Sequence, residues 1–417
     1  MKLCWLAVLL SPLLLAGPQT GGKPTLQQVA NVNSRYEVEG VEVTGEGDFT
    51  LSQALNEDLQ RMVGEKLDQT AVESLAVRIR RELHARQVTH RLVRGGQPDH
   101  VRIVFEVTRR SVEFDVSVPR FLYHSKQGWT GEVEGAVTYS GTTAGFGLVS
   151  DGDELPERNA GLFTRLEHRR LGTDRLRPKL RFESFHQQWN RATLQALDRA
   201  PQVPGIYRTR MNIQPSLTFV LAKSLTLEAG LSFQRLEFQF PAARQESSNS
   251  VVNTLRYHRQ WEDSDARKQS VDAGYYLRAA THALSSDFAY TRHRWNAGYS
   301  LVYGKQAVLV QFTGGLLSGR APLYERYVLG NSGTLRGWNR FDVAPLGGDR
   351  MAHGSVTYRL RWIEVFCDTG AVWNRGQDRV ARTGLGAGLR KDGFSLAVAF
   401  PVREGRADPV IMAGMNF

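Results

Sequence analysis

Beyond residue 112 the chain repeats one pattern, short segments in which apolar and polar residues alternate one for one. Val112-Glu113-Phe114-Asp115-Val116-Ser117-Val118 is the first, and Glu132–Tyr139, Leu217–Leu231, Val308–Leu316, Val356–Trp362 and Phe394–Phe400 repeat it. A period of two is what a strand shows when its two faces meet different media. The last nine residues follow it as well: Ile411, Ala413, Met415 and Phe417 share one face, and Val410, Met412, Gly414 and Asn416 the other. Eleven such segments precede the longest gap in the pattern, near 112–119, 129–139, 143–149, 160–170, 177–190, 208–222, 224–239, 250–261, 268–280, 287–303 and 305–316. Five follow it, near 354–363, 364–373, 383–390, 394–401 and 409–417, which makes sixteen. The pattern is weakest over 143–149 and 281–292.

Residues 35–110 carry a different rhythm. Tyr36–Val43 alternates, with Val38, Val41 and Val43 apolar and an irregularity at Gly40. Thr50-Leu51-Ser52-Gln53 fits a capping box, and Leu51, Leu55, Leu59 and Met62 follow at helical spacing up to Gly64. Thr70-Ala71-Val72-Glu73 is a second capping-box pattern, followed by the stripe Val72, Leu75, Ile79 and Leu83. Two strands, Val88–Val93 and Val101–Val107, close the region through Gly95-Gly96-Gln97-Pro98-Asp99. The predicted order is β-α-α-β-β.

Residues 1–22 read as a signal peptide and leader: Lys2 precedes an apolar run from Leu3 to Leu15 broken only by Ser11 and Pro12. After it no apolar run approaches the ~18 to 20 residues of a spanning helix. A membrane crossing is therefore expected as a closed barrel, since an open sheet edge cannot be left in lipid. Cys4 leaves with the leader, so Cys367 is the one remaining thiol. That excludes an internal disulfide and a cysteine metal framework. The net charge of +11 is assigned to lumen-facing residues and to contacts with anionic lipid headgroups, not to nucleic acid, because the Arg residues are scattered through alternating strands.

Residues 35–110 resemble a POTRA domain, the periplasmic polypeptide-handling module. The opening strand, the Leu-rich helix ending Val63-Gly64, the Leu67-Asp68 before the second helix and the closing Val-Phe-Val strand carry that resemblance. In the gap from Ser318 to His353 stands Gly330-Asn331-Ser332-Gly333-Thr334-Leu335-Arg336-Gly337-Trp338, five strands before the last residue. Phe366-Cys367-Asp368, the glycine-rich Gly384-Leu385-Gly386-Ala387-Gly388 and Ala399-Phe400-Pro401 follow in order. Together these four elements resemble the BamA/TamA superfamily of outer-membrane assembly and secretion barrels, over most of residues 35–417. Leu335 stands where the family has Val, and Trp338 where it has Phe or Tyr. One POTRA-like module, a short barrel region and Met415 in place of an aromatic depart from the family pattern.

The resemblance implies an N-terminal POTRA domain in the periplasm (35–110) and an all-β antiparallel outer-membrane barrel (112–417) of about sixteen strands, the last ending on Phe417. It implies that the long loop folds back into the lumen and that Arg336 pairs with Asp368 on the barrel wall beside Phe366. Gly333, Leu335, Arg336, Gly337 and Trp338 are then the lumen-loop motif. The barrel is expected to close by pairing Val112–Val118 with Val410–Phe417, a seam weakened by Gly414, a poor strand residue. The implied function is insertion of outer-membrane proteins, with a two-partner-secretion transporter of one passenger as the alternative. The implied partners are unfolded outer-membrane or secreted polypeptides, outer-membrane lipid, and accessory lipoproteins or periplasmic chaperones. No enzyme is expected. There is no Gly-x-Ser-x-Gly elbow, no nucleotide-binding Gly-rich Lys motif, and no metal or cofactor spacing among His168, His186, His282 and His293.

Overall fold

The computed structural model describes residues 35–45, 50–83, 85–108, 112–153, 157–200, 203–263, 267–403 and 408–415. The leader 1–22, Asn416 and Phe417 lie outside these residues. The chain divides into two compact units, up to Arg110 and from Ser111 onward.

The first unit has the predicted order: β1 (Glu37–Gly45), α1 (Gln53–Arg61), α2 (Gln69–Glu82), β2 (Gln87–Arg94) and β3 (His100–Thr108). The sheet runs β1-β3-β2, with β1 parallel and β2 antiparallel to β3. The register of β1 slips between Val38 and Gly40, where its alternation breaks in the sequence. Leu55 and Leu59 of α1 and Val72, Leu75 and Ile79 of α2 pack on Val38, Ile103, Phe105 and Val107. Each such side chain fully removed from water contributes ~1.5–3 kcal/mol.

Both helix starts differ from the predicted boxes. Ser52 caps α1, its hydroxyl accepting from the Leu55 amide, and Glu82 at the end of α2 accepts from the Ser52 amide and hydroxyl. Asp68 caps α2, accepting from the Thr70 amide. A carboxylate at the positive end of a helix is a stronger cap than the Thr70 hydroxyl.

The second unit is a closed barrel whose strands pair antiparallel throughout. Its first strands are β4 (Val112–His124), β5 (Gly128–Tyr139), β6 (Thr142–Asp151), β7 (Arg158–His168), β8 (Leu176–Gln188), β9 (Tyr207–Ala222) and β10 (Leu225–Phe238). Next come β11 (Arg244–Ser247), β12 (Ser250–Glu262), β13 (Arg267–Ala280), β14 (Ala289–Tyr303) and β15 (Gln306–Arg320). The final five are β16 (Arg350–Leu360), β17 (Ile363–Trp373), β18 (Arg382–Lys391), β19 (Phe394–Val402) and β20 (Val410–Met415). Strands β11 and β12 pair with successive halves of β10, so they form one interrupted stave and the barrel has sixteen.

The alternation resolves into two faces. Phe146, Leu148, Phe312, Val356, Val365 and Leu385 point outward and are exposed, whereas Glu134, Asp151, Asn212, Gln234 and Asp368 are buried inside. Among the described residues no helix is long and apolar enough to cross a membrane. Cys367 faces outward and is exposed, because its two neighbours Phe366 and Asp368 take the lumen side.

Residues 321–349 form the longest connection, between β15 and β16, slightly shorter than the predicted gap because both strands extend toward it. The connection folds back inside the barrel: Leu323, Leu329 and Leu335 are completely buried. Tyr207, Phe238, Phe288, Tyr290 and Leu317 of the wall pack against it.

Candidate functional site: the lumen loop and the barrel seam

Arg336 comes from the folded-in loop and Asp368 from the middle of β17. The Arg336 Nε donates to Asp368 Oδ2 at 2.7 Å, Nη2 to Oδ1 at 2.8 Å, and the Arg336 backbone amide to Oδ2 at 3.0 Å. The carboxylate is completely buried, and the guanidinium is only 15% exposed. Burying either charge alone costs several kcal/mol, and the two-pronged geometry offsets that cost. Ser355 supports both partners, donating to Asp368 Oδ1 at 2.6 Å and accepting from Arg336 Nη2 at 3.1 Å. Phe366, two residues before Asp368, lies flat under the guanidinium with 3.5 Å from the Arg336 carbon to the ring centre.

The glycines of the motif and of β18 let the loop approach this closely. Gly337 has φ +92°, a conformation other residues resist, and a Cβ there would meet the Phe400 backbone at 2.9 Å. A Cβ on Gly386 would stand 2.2 Å from the Phe366 ring. Trp338 then turns its indole N–H onto the Thr383 carbonyl at 2.7 Å. Leu335 is buried against the loop's own core, and Gly333 is exposed at the tip.

The base of the loop is anchored separately. Glu325 receives the Tyr290 hydroxyl at 3.2 Å and lies 3.4 Å from both Arg278 and Arg292. Next to it, Arg210 lies over the Tyr324 ring. In the connection that enters β7, burial pushes the Glu157 carboxyl up from its ordinary value, against the lowering influence of the Tyr207 hydroxyl and of Arg210 and Arg340.

Among the described residues the barrel closes between β20 and β4 through four residue pairs, Met412–His124, Ala413–Tyr123, Gly414–Leu122 and Met415–Phe121. Thirteen pairs join β12 to β13 and fifteen join β14 to β15. This corrects the expected closure through Val112–Val118. The described part of β20 starts at the far rim from Val112 and reaches only to Phe121. Just below, β4 carries a bulge: Ser117 faces Glu134 and Arg120 faces Glu132, with one residue extra. Pro119 stands in that bulge and has no amide hydrogen for a ladder. Among the described residues, Val112–Ser117 has no ladder partner on the β20 side.

The structure thus brings Leu335, Arg336, Gly337, Trp338, Phe366 and Asp368 together, and puts Gly414 in the seam. Sequence reasoning missed Ser332, Asp153 and Arg120, which hold the other end of the same loop segment; the paired acids of Asp151-Gly152-Asp153 at the end of an alternating strand were the available signal. Among the described residues no group of three or more His, Cys, Asp or Glu side chains is placed to hold a metal ion.

In solved structures the fold is similar to that of BamA from Haemophilus ducreyi lacking its POTRA domains 1–3, with a TM-score of 0.61 and 14% identity, over 91% of this chain and 84% of that one. It is similar to CdiB from Acinetobacter baumannii, with a TM-score of 0.51 and 11% identity, over 91% of this chain and 74% of that one. CdiB from Escherichia coli gives a TM-score of 0.50 and 12% identity, over 92% of this chain and 76% of that one. No curated protein matches the chain in sequence. The Omp85 superfamily domain matches residues 171–408. That match covers more than half of the chain, and the chain belongs to the Omp85 superfamily of outer-membrane barrels that insert or transport polypeptides.

Proposed function

We propose that the protein is an outer-membrane protein insertase that hands client strands to the β20-facing edge of β4 over Val112–Ser117. The observation that carries this reading is the closure through four pairs among the described residues, beside Val112–Ser117, whose other edge is paired to β5. A client strand can add to such an edge by backbone hydrogen bonds alone, which makes the addition tolerant of client sequence. Among the described residues the seam is the shortest ladder between neighbouring staves, so it is where the wall parts at least cost. Energy comes from the client's own folding.

In this reading residues 1–22 are a leader, 35–110 a POTRA-like domain in the periplasm, and 112–417 the barrel. The edge strands β1 and β2 receive unfolded clients by the same strand addition. Arg336, with Gly333, Leu335, Gly337 and Trp338, fixes the loop on Phe366 and Asp368 so that the lumen stays shaped while the seam works. Gly414 and Phe417 belong to the seam strand. Accessory lipoproteins or periplasmic chaperones are the expected partners.

The alternative is a transporter of one dedicated passenger, as in two-partner secretion. Depletion separates the two. Loss of the protein, followed by quantification of all outer-membrane barrels and of the secreted fraction, is expected to lower many barrels at once. Loss of a single secreted protein with the barrels intact would replace the insertase with the transporter.

A further inference from the structure

We propose that Gly330–Trp338 is a clasp across the seam, and that Asp153, Arg120 and Ser332 are positioning residues that keep the seam shut. One side of the clasp is held by Asp368 of β17. The other side is held beyond the seam. The Ser332 amide donates to Asp153 Oδ1 at 3.0 Å and its hydroxyl to Asp153 Oδ2 at 2.5 Å. Arg120 of β4 donates to the Ser332 hydroxyl at 3.0 Å and to Asp151 at 3.2 Å, and is ion-paired with Asp153. Gln127, in the turn between β4 and β5, donates to the Gly330 carbonyl at 2.8 Å. Asp153 is 1% exposed and Ser332 3% exposed, so neither is a rim contact replaceable by water.

Around the barrel the order is β17-β18-β19-β20-β4-β5-β6. Ser332 and Arg336 therefore grip opposite sides of the β20–β4 seam. Four residues of chain reach at most ~14 Å. The walls carrying Asp153 and Asp368 cannot separate further without one grip breaking. Arg120 also immediately precedes Phe121, the first paired residue of the seam. Leu122, Phe366, Ala397, Ala399, Val410 and Met412, contributed from both sides of the seam, pack as one buried cluster on its lumen face. Parting the seam wets that cluster as well as breaking a grip.

The inference rests on the seam reading above, but its test needs no client. Amide exchange is followed by mass spectrometry on the full chain in lipid nanodiscs. Asp153→Ala and Ser332→Ala are each expected to speed exchange in Phe121–His124 and Met412–Met415 about tenfold or more, the effect of losing hydrogen bonds to a charged group. Exchange in the β12–β13 ladder stays unchanged. Wild-type exchange at the seam in both variants would overturn the clasp. Should either variant fail to fold, Asp153→Cys with Ser332→Cys in a Cys367→Ser chain supplies the decision. Its oxidised form must exchange more slowly at the seam than its reduced form, and equal rates sink the clasp. A clasp confirmed this way stands even if depletion spares the outer-membrane barrels, and an insertase can stand without it.

Discussion

Gly384 lies directly under Arg336: a Cβ on Gly384 would stand 2.0 Å from the Arg336 carbonyl oxygen. The glycine-rich strand β18 is thus a landing place for the loop, and the two sequence motifs are one structural feature. Gly384→Ala should lift the loop and loosen the bonds to Asp368, at about 1–3 kcal/mol for an overpacked contact with backbone. Gly298, whose Cβ would find nothing nearer than 3.9 Å, supplies the control. Unfolding of the two variants in urea should separate them, and equal midpoints would remove the landing-place account.

Arg336→Ala and Asp368→Ala should each destabilise the barrel by about 3–5 kcal/mol, because each strands the other charge inside. The double variant should be little worse than either single one. Unfolding midpoints of all four proteins close the cycle; additive losses would mean the two residues act apart. Growth and client assembly should fail in both single variants.

Much of this was legible in the sequence, for a physical reason. Sixteen alternating segments gave sixteen staves because a wall between lipid and a polar lumen imposes a period of two on every residue. Arg336 and Asp368 were foreseeable through the family resemblance and through the need of a buried guanidinium for a carboxylate. The seam register was not, because it depends on where β20 reaches along β4 and on the bulge at Pro119, neither of which leaves a mark in hydropathy. The α1 cap slipped by two residues because Glu82, thirty positions away, fixes Ser52. Ser332 and Asp153 meet only through the folding-back of a 29-residue connection, 321–349, and local patterns carry no trace of that.

Cys367 gives a direct reading of which face meets lipid. It points outward between the inward Phe366 and Asp368. In native membranes it should react with an apolar, membrane-permeant maleimide and resist a charged one. Reaction with the charged reagent at the rate of a free thiol in water would put the middle of β17 outside the bilayer.

Ile79, fully buried between α2 and the sheet, tests the first unit. Ile79→Ala should cost about 2–5 kcal/mol there. The expected readout is loss of amide protection in α1, α2 and β3 with protection in β13 and β14 retained. Unchanged protection in the helices would mean that they do not share the core with β3.

Gly414 poses two effects of opposite sign. As a glycine in a strand it costs roughly 0.5–1 kcal/mol relative to alanine, which by itself makes Gly414→Ala a tightening change. But a Cβ there would stand 2.0 Å from the Phe121 carbonyl oxygen and 2.7 Å from the Leu122 Cα. Those are backbone atoms of the opposing strand and cannot rotate away, and an overpacked contact costs about 1–3 kcal/mol. The steric effect is the larger. The glycine therefore permits the close approach of β20 to β4. Gly414→Ala should accordingly speed amide exchange in Phe121–His124 and leave the β14–β15 ladder as it was. Slower exchange at the seam would show that strand propensity outweighs the contact, and that Gly414 keeps the seam loose.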